Sequence, residues 1–207
     1  MGRVNTASNE QFSAIQQEVL IGTILGDGRL ESRSKNGSAR LRVHHAESQR
    51  DFLFWKYQVF QNLVTREPWQ VTWIGKQTGN KYSAWFFHTK TLSTLRELHQ
   101  LFYPAGKKII PINIEDLLTP RALAVWFMDD GCMTPSSAIL NTQCFSKLEQ
   151  EILRSWFQNY LGIETKFNKD RLTYRLCMNK ESARELSEII SPYVPKCMHY
   201  KLAPRND

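Results

Sequence analysis

The feature that most restricts what this chain can fold into is an internal repeat. An apolar helical stretch, Gln11 to Leu25, stops at Gly26-Asp27-Gly28; a second, opened by Thr119-Pro120 and running from Arg121 to Met128, stops at Asp129-Asp130-Gly131. Threonine suits a helix N-cap, and proline suits the first helical position, where its missing N–H costs nothing. In the first stretch Phe12, Ile15, Val19, Ile21 and Ile24 fall at helical spacing, and Ser8 with Gln11 has the pattern of a capping box. Both helices end in Asp-Gly. Glycine is the residue type of a left-handed helix end, so both are expected to close in that conformation.

The segments after the two helices also correspond. After Gly28 comes a basic hairpin, Arg29 to Ser48, and after Gly131 a shorter one through Pro135-Ser136-Ser137 to Phe145. Ser48 and Ser146 then open helices to about Leu63 and Leu161. Paired strands come next: Trp69 to Gly75 with Tyr82 to Thr89, and Glu164 to Asn168 with Leu172 to Met178. Helices Thr91 to Phe102 and Ser182 to Tyr193 close the halves. The expected fold is α+β: two pseudo-symmetric αββαββα repeats over 1–106 and 120–207, joined by a linker over 107–119. An α+β domain with accidental self-similarity explains the composition but not the joint recurrence of element order and terminal Asp-Gly.

A helix end carries unpaired carbonyls and the negative end of the macrodipole, so a carboxylate there adds unfavourable charge and calls for a cation. Gly22 and Gly26, four residues apart, clear one side of the first helix for close packing against the second. Asp27 and Asp130 would then meet at one end. Two carboxylates beside free carbonyls form an all-oxygen site for a hard divalent ion such as Mg²⁺. The formal net charge is +7, from 27 Lys and Arg against 20 Asp and Glu, which favours a polyanionic partner, nucleic acid first. A metal site beside a basic sheet suits phosphodiester hydrolysis.

At these residues the chain resembles the LAGLIDADG family, over roughly Gln17 to Pro204. The first motif copy stands as Leu20-Ile21-Gly22-Thr23-Ile24-Leu25-Gly26-Asp27-Gly28 and the second as Leu123-Ala124-Val125-Trp126-Phe127-Met128-Asp129-Asp130-Gly131. Lys107-Lys108-Ile109-Ile110-Pro111, Leu118-Thr119-Pro120 and Leu140-Asn141-Thr142-Gln143 resemble the two-motif, intron-encoded branch. The resemblance implies a site-specific homing endonuclease that breaks both strands of a long DNA target, with saddle-shaped antiparallel sheets and a central two-helix interface. It implies metal ligation by Asp27 and Asp130, with backbone carbonyls from Gly26 and Asp129. It implies Mg²⁺ as cofactor, with Mn²⁺ substituting and Ca²⁺ binding without cleavage. It also places Lys108 and Lys201 near the scissile phosphates, and Gln143 as a polar strand residue of the second half. In the first half that role falls to His44 or His45. Neither lysine reads as core. Val125 departs from the small residue expected opposite Gly22, which predicts an asymmetric helix contact, and Thr23 stands where an apolar residue is usual.

Strand alternation gives the DNA-reading candidates: Arg29, Glu31, Arg33 and Lys35 on one arm of the first hairpin, Arg40, Arg42 and His44 on the other. In later strands the candidates are Gln70, Thr72, Lys76, Lys81 and Tyr82, then Lys166, Asn168, Arg171, Thr173 and Arg175. Which of them meet bases and which meet phosphates stays open. Trp55, Trp126 and Trp156 fit helical apolar faces better than stacking platforms. Rival readings are an intron RNA maturase on the same scaffold and a DNA-binding regulator without cleavage; the intact aspartates weigh against the second. The expected species is a monomer without a membrane segment. The polar stretch over Met1 to Glu10 shows no targeting core, which fits expression in an organelle that encodes it, mitochondrion or chloroplast, or in a bacterial cytoplasm. The four cysteines read as reduced packing residues.

Overall fold

The computed structural model describes residues 11–32 and 37–204. The first half contains α1 (Ala14–Leu25), β1 (Arg29–Ser32), β2 (Ala39–Ala46), α2 (Arg50–Val59), β3 (Trp69–Ile74), β4 (Lys81–His88) and α3 (Arg96–Phe102). The second contains α4 (Pro120–Asp130), β5 (Gly131–Thr134), β6 (Ser137–Leu140), α5 (Lys147–Leu161), β7 (Lys166–Asp170), β8 (Thr173–Asn179) and α6 (Lys180–Ile190). The order αββαββα recurs, and each half forms a four-stranded antiparallel sheet of the same topology, β1-β2-β4-β3 and β5-β6-β8-β7. Among the described residues no helix is long and apolar enough to cross a membrane.

The helices start for local reasons. The Thr119 hydroxyl accepts from Ala122 N at 3.2 Å, with Pro120 in the first turn. For α1 the N-cap is Ser13, whose side chain forms a capping box with Gln16. The helix therefore begins at Ala14, not Gln11, and Ser8 lies outside the described residues. Nor is α1 one-faced: Ile15 is 51% exposed, whereas every residue from Val19 to Leu25 is buried. Ala122 to Met128 of α4 are likewise buried throughout. Two helices apolar on all sides form the centre of the molecule, flanked by both halves.

Their contact is as close as the glycines allow. A Cβ on Gly22 would lie 2.2 Å from Ala122 O and 2.7 Å from Val125 Cβ, so a bulky residue faces a missing one, as the asymmetry of the motif predicts. At the far end Glu18 and Arg121 pair at 2.9 Å. The glycines that follow the terminal aspartates are not left-handed: Gly28 does not have a positive φ and Gly131 has φ −87°, and the C-cap Gly26 has φ −84°. Space, not backbone conformation, demands glycine there. A Cβ on Gly26 would lie 2.3 Å from an Asp129 carboxylate oxygen, and one on Gly131 2.3 Å from the Phe127 ring. The left-handed glycine that ends a helix is Gly162, after α5. Segment 107–119 is no loose tether, since Ile110, Ile114 and Leu118 are buried in the core common to both halves.

Candidate active site

The adjacent ends of α1 and α4 bring Asp27, Asp129 and Asp130 together. Asp27 is the accessible one, with its side chain 44% exposed. Its backbone N–H donates to Asp129 Oδ2 at 3.2 Å, across the helix pair. Asp130 accepts from the indole N–H of Trp126, one turn back on its own helix, at 3.1 Å. Burial, then the charges of Asp129 and Asp27, push the Asp130 carboxyl up to about 7, against that hydrogen bond and the nearby Lys108. A carboxylate so disfavoured at a helix C-terminus fits a site built for a cation.

The two lysines reach this point from opposite sides. Lys108 Nζ donates to Gly26 O at 2.6 Å, and Lys201 Nζ donates to Asp129 O at 3.4 Å and Gly131 O at 3.0 Å. Gly26 and Asp129 hold the same place in their motif copies, so the contacts are related by the repeat. Both ammoniums thus engage the carbonyls expected beside a metal. Burial lowers the Lys108 pKa, a tendency that the surrounding acidic groups oppose. Lys201 is only 8% exposed, against the expectation that it lies outside the core, because its own turn packs against α2 and β5 and its ammonium bonds carbonyls where α4 meets β5.

Two further residues belong to the cluster. Lys56 of α2 is fully buried, and its ammonium lies 2.8 Å from both carboxylate oxygens of Asp129, whose side chain is also fully buried. His45 of β2 lies between Lys56 and Asp27, with Nε2 3.2 Å from Lys56 Nζ and Nδ1 3.7 Å from Asp27 Oδ2. Asp27, His45 and Asp129 each place one ligand atom within 4.8 Å of the others. With the Lys56 ammonium on Asp129, Asp27 and Asp130 are the candidate carboxylates for a metal. Oxygen donors with excess negative charge fit a hard divalent ion. The signal for Lys56 lies in the sequence: it shares the buried spacing of Leu53 and Phe60, where a lysine is costly unless paired. His45 is the inward member of the His44–His45 pair, so the choice between them resolves toward His45 at the site and His44 on the outer face.

Gln143 is not in this cluster. Its amide donates to Asp170 Oδ2 at 2.8 Å and Asn141 Oδ1 at 3.4 Å, which ties it to the β7–β8 turn. Asn141, whose N–H donates to Asp130 O at 3.0 Å, lies closer. Cys144 is an exposed free thiol.

The sheets flank the site. In the first, the register pairs Arg29 with Arg42, Arg42 with His88, His44 with Phe86 and Phe86 with Trp69, which defines one outer face. Arg40 and Arg42 both bond Glu31, at 2.9 and 3.2 Å, so the Glu31 carboxylate is already committed. Gln70, Thr72 and Lys81 do not share this face. Gln70 pairs with Trp85, Thr72 with Ser83 and Ile74 with Lys81, all in register with inward-facing His45, because strand parity sets them one residue away from Trp69 and Val71. Lys76 lies in the β3–β4 turn, and Arg33 and Lys35 lie outside the described residues. The outer face instead carries Trp69, Trp73, Tyr82 and Phe86, with Trp69 stacked on Phe86 and Trp73 on Tyr82. Sequence patterning picks out Tyr82 but misses Trp69, Trp73 and Phe86, because they alternate like core residues. In the second sheet Lys166, Asn168, Thr173 and Arg175 do share an outer face, while Arg171 occupies the turn with φ 55°. Trp126 and Trp156 are buried and Trp55 packs against the core, as helical spacing predicts.

A family model for the LAGLIDADG DNA endonuclease family matches residues 17–186. The chain is 27% identical over 208 residues to DNA endonuclease I-ChuI of Chlamydomonas applanata, covering 92% of this chain and 95% of that protein. It is 31% identical over 196 residues to the cytochrome b mRNA maturase bI2 of Saccharomyces cerevisiae, covering 89% of this chain but 46% of the maturase. Its fold superposes on the homing endonuclease I-WcaI bound to its DNA recognition sequence with a TM-score of 0.88, at 27% identity, covering 95% and 89% of the two chains.

Proposed function

The chain belongs to the LAGLIDADG DNA endonuclease family, and from that premise we propose that it is a homing endonuclease that hydrolyses one phosphodiester in each strand of a long DNA target. The observation that carries the reading is the convergence of Asp27 and Asp130 at adjacent helix ends, with Lys108 and Lys201 on repeat-related carbonyls. Endonucleases of this family depend on divalent metal. Asp27 and Asp130 would hold the ion here, Mg²⁺ with Mn²⁺ as substitute. Bound there, it would polarise a phosphoryl oxygen and lower the pKa of a water. The chain's own residues do the rest. The outer faces of the sheets bind the duplex, with Arg29, Arg40, Arg42 and His44 on one side and Lys166, Asn168 and Arg175 on the other. Lys108 and Lys201 hold positive charge where the phosphate becomes more negative and orient the attacking water. One chain carries both helix ends, so the active species is a monomer.

The test is to select cleaved members from a randomised plasmid library with Mg²⁺ and then follow nicked and linear products on the selected target. Linear product that requires metal supports the reading, and the lack of any cleaved target overturns it. One observation favours a second reading, intron RNA binding: the similarity to a maturase over almost the whole of this chain. Saturable binding to intron RNA with no DNA target recovered would favour it.

A further inference from the structure

The carboxylates of Asp27 and Asp130 are held differently, and the difference points to a residue pair outside the motif. On α4, Trp126 supplies an N–H to Asp130. The same motif position on α1 is Thr23, whose buried hydroxyl has no hydrogen-bond partner. Thr23 is too short to do for Asp27 what the indole does for Asp130. The side chain facing Asp27 is His45, with Nδ1 3.7 Å from Oδ2. That Nδ1 is buried and likewise unpartnered. The distance is just beyond a hydrogen bond, and the exposed Asp27 carboxylate can close it by rotating about its own side-chain bonds.

His45 is buried with the Lys56 ammonium against its ring, surroundings that hold the imidazole neutral. A neutral imidazole carries one N–H and one acceptor nitrogen. Lys56 Nζ lies 3.2 Å from His45 Nε2 and, as an ammonium, can only donate. Nε2 must therefore accept, and the ring proton is on Nδ1, toward Asp27. Lys56 is itself fixed, with both Asp129 oxygens at 2.8 Å and the Phe52 ring centre 4.3 Å away. We propose that Lys56 is a positioning residue that sets the His45 tautomer, so that an Nδ1–H directs the Asp27 carboxylate as the Trp126 indole directs Asp130. The proposal rests on the reading of Asp27 as a metal ligand only for its consequence in cleavage; the tautomer itself is a property of the metal-free protein.

The measurement is long-range ¹H–¹⁵N correlation of the histidine rings in metal-free protein, with His45 assigned by its loss in His45→Gln. The expected result is a protonated Nδ1 and an accepting Nε2. A protonated Nε2 in the wild type overturns the proposal. Lys56→Met alone would strand the buried Asp129 charge, so the informative comparison is Lys56→Met/Asp129→Asn against Asp129→Asn. The double variant should lose the Nδ1–H preference, and its cleavage should fall about tenfold below that of Asp129→Asn, the scale of losing an outer-shell partner. An unchanged tautomer in the double variant overturns the proposal. His45→Gln, which keeps a side-chain N–H, should cleave faster than His45→Ala; equal rates would also overturn it. If Asp27→Asn cleaves normally, the metal-ligand reading fails while the tautomer result stands on its own.

Discussion

In the first half of the molecule the accessible Asp27 faces a histidine from β2, and behind that histidine is a buried lysine–aspartate pair. In the second half Asp130 is bonded by a tryptophan of its own helix and pushed up to about 7. The buried spacing Leu53-Lys56-Phe60 of α2 and its C-cap recurs in α5 as Gln150-Leu153-Phe157, with an aliphatic residue in place of the lysine. Gln150 spends its amide on three backbone carbonyls of its own half. What recurs is one aspartate and one lysine at each helix end. What differs is the scaffolding that holds them. Chemistry on two antiparallel strands needs the reacting groups related by a pseudo-twofold axis, whereas the packing around them only has to be satisfied locally.

The largest expected effect tests the shared part. Asp27→Asn or Asp130→Asn removes a charge from the proposed metal site, and each should reduce double-strand cleavage by at least about 10²-fold while largely sparing DNA binding in Ca²⁺. Wild-type cleavage in either variant would break the equivalence of the halves. The raised Asp130 pKa adds a pH signature. A carboxyl whose folded pKa lies above its unfolded value stabilises the fold fully below about pH 4 and loses that contribution as pH rises through about 7. Metal-free wild type should therefore lose melting temperature across that window relative to Asp130→Asn. Parallel melting curves would show that the carboxyl is not so disfavoured.

Next come the lysines. Lys108→Met and Lys201→Met should each slow cleavage by about 10²-fold in single-turnover assays, with nicked and linear plasmid followed separately. Here the halves should part in stability. Lys201 is enclosed and bonds two carbonyls of α4 and β5, so its loss should also cost about 1–3 kcal/mol. Lys108 is less enclosed, and its variant should melt closer to wild type. Equal melting temperatures would contradict the asymmetry.

Legibility in the sequence depends on range. The repeat, the strand order and the pairing of helix ends rest on local patterns: N-caps at Thr119 and Ser146, alternation in β2, glycines at 22 and 26. The two motif lysines are legible because they lie in stretches that resemble a family. The Lys56–Asp129–His45 cluster joins residues 73 positions apart across both halves, and no local rule announces that partner. The glycine conformations escape a local reading because Asp-Gly after a helix imitates a left-handed end, while here neighbouring atoms occupy the Cβ space. Gln70, Thr72 and Lys81 fall on the face opposite to the one expected because a one-residue difference in register reverses the face of a strand.

The helix interface gives a smaller effect. Gly22→Ala drives a methyl into the Ala122 carbonyl and Val125, which should cost about 1–3 kcal/mol in urea denaturation. The motif-equivalent Val125→Gly removes the Cβ that a methyl on Gly22 would meet, so Val125→Gly/Gly22→Ala should cost less than the sum of the two single changes. Additive costs in the double variant would show that these two positions do not face each other across the helix pair.

The smallest effect separates the two sheets as readers of DNA. In the first, Arg40 and Arg42 share the Glu31 carboxylate, and Arg42 also lies over the Phe86 ring, 5.5 Å from its centre. Arginines fixed in this way present their forks in one orientation, as bidentate contact with a guanine edge requires. In the second, the Lys166 side chain is 70% exposed, with a 3.5 Å contact to a similarly exposed Glu164. A loose point charge of this kind suits phosphate and carries little sequence information. Lys166→Ala should therefore weaken binding severalfold on every sequence and lessen the slope of log K against log salt by about one. Arg42→Ala should instead relax the base preference at one position of one half-site, with a cost of about 1–3 kcal/mol confined to the preferred base. The measurement is competition binding to a panel of single-base target variants at several salt concentrations. If Lys166→Ala changes base preference while Arg42→Ala changes only the salt slope, the second sheet reads bases and the first holds phosphates, the reverse of the expected division of labour.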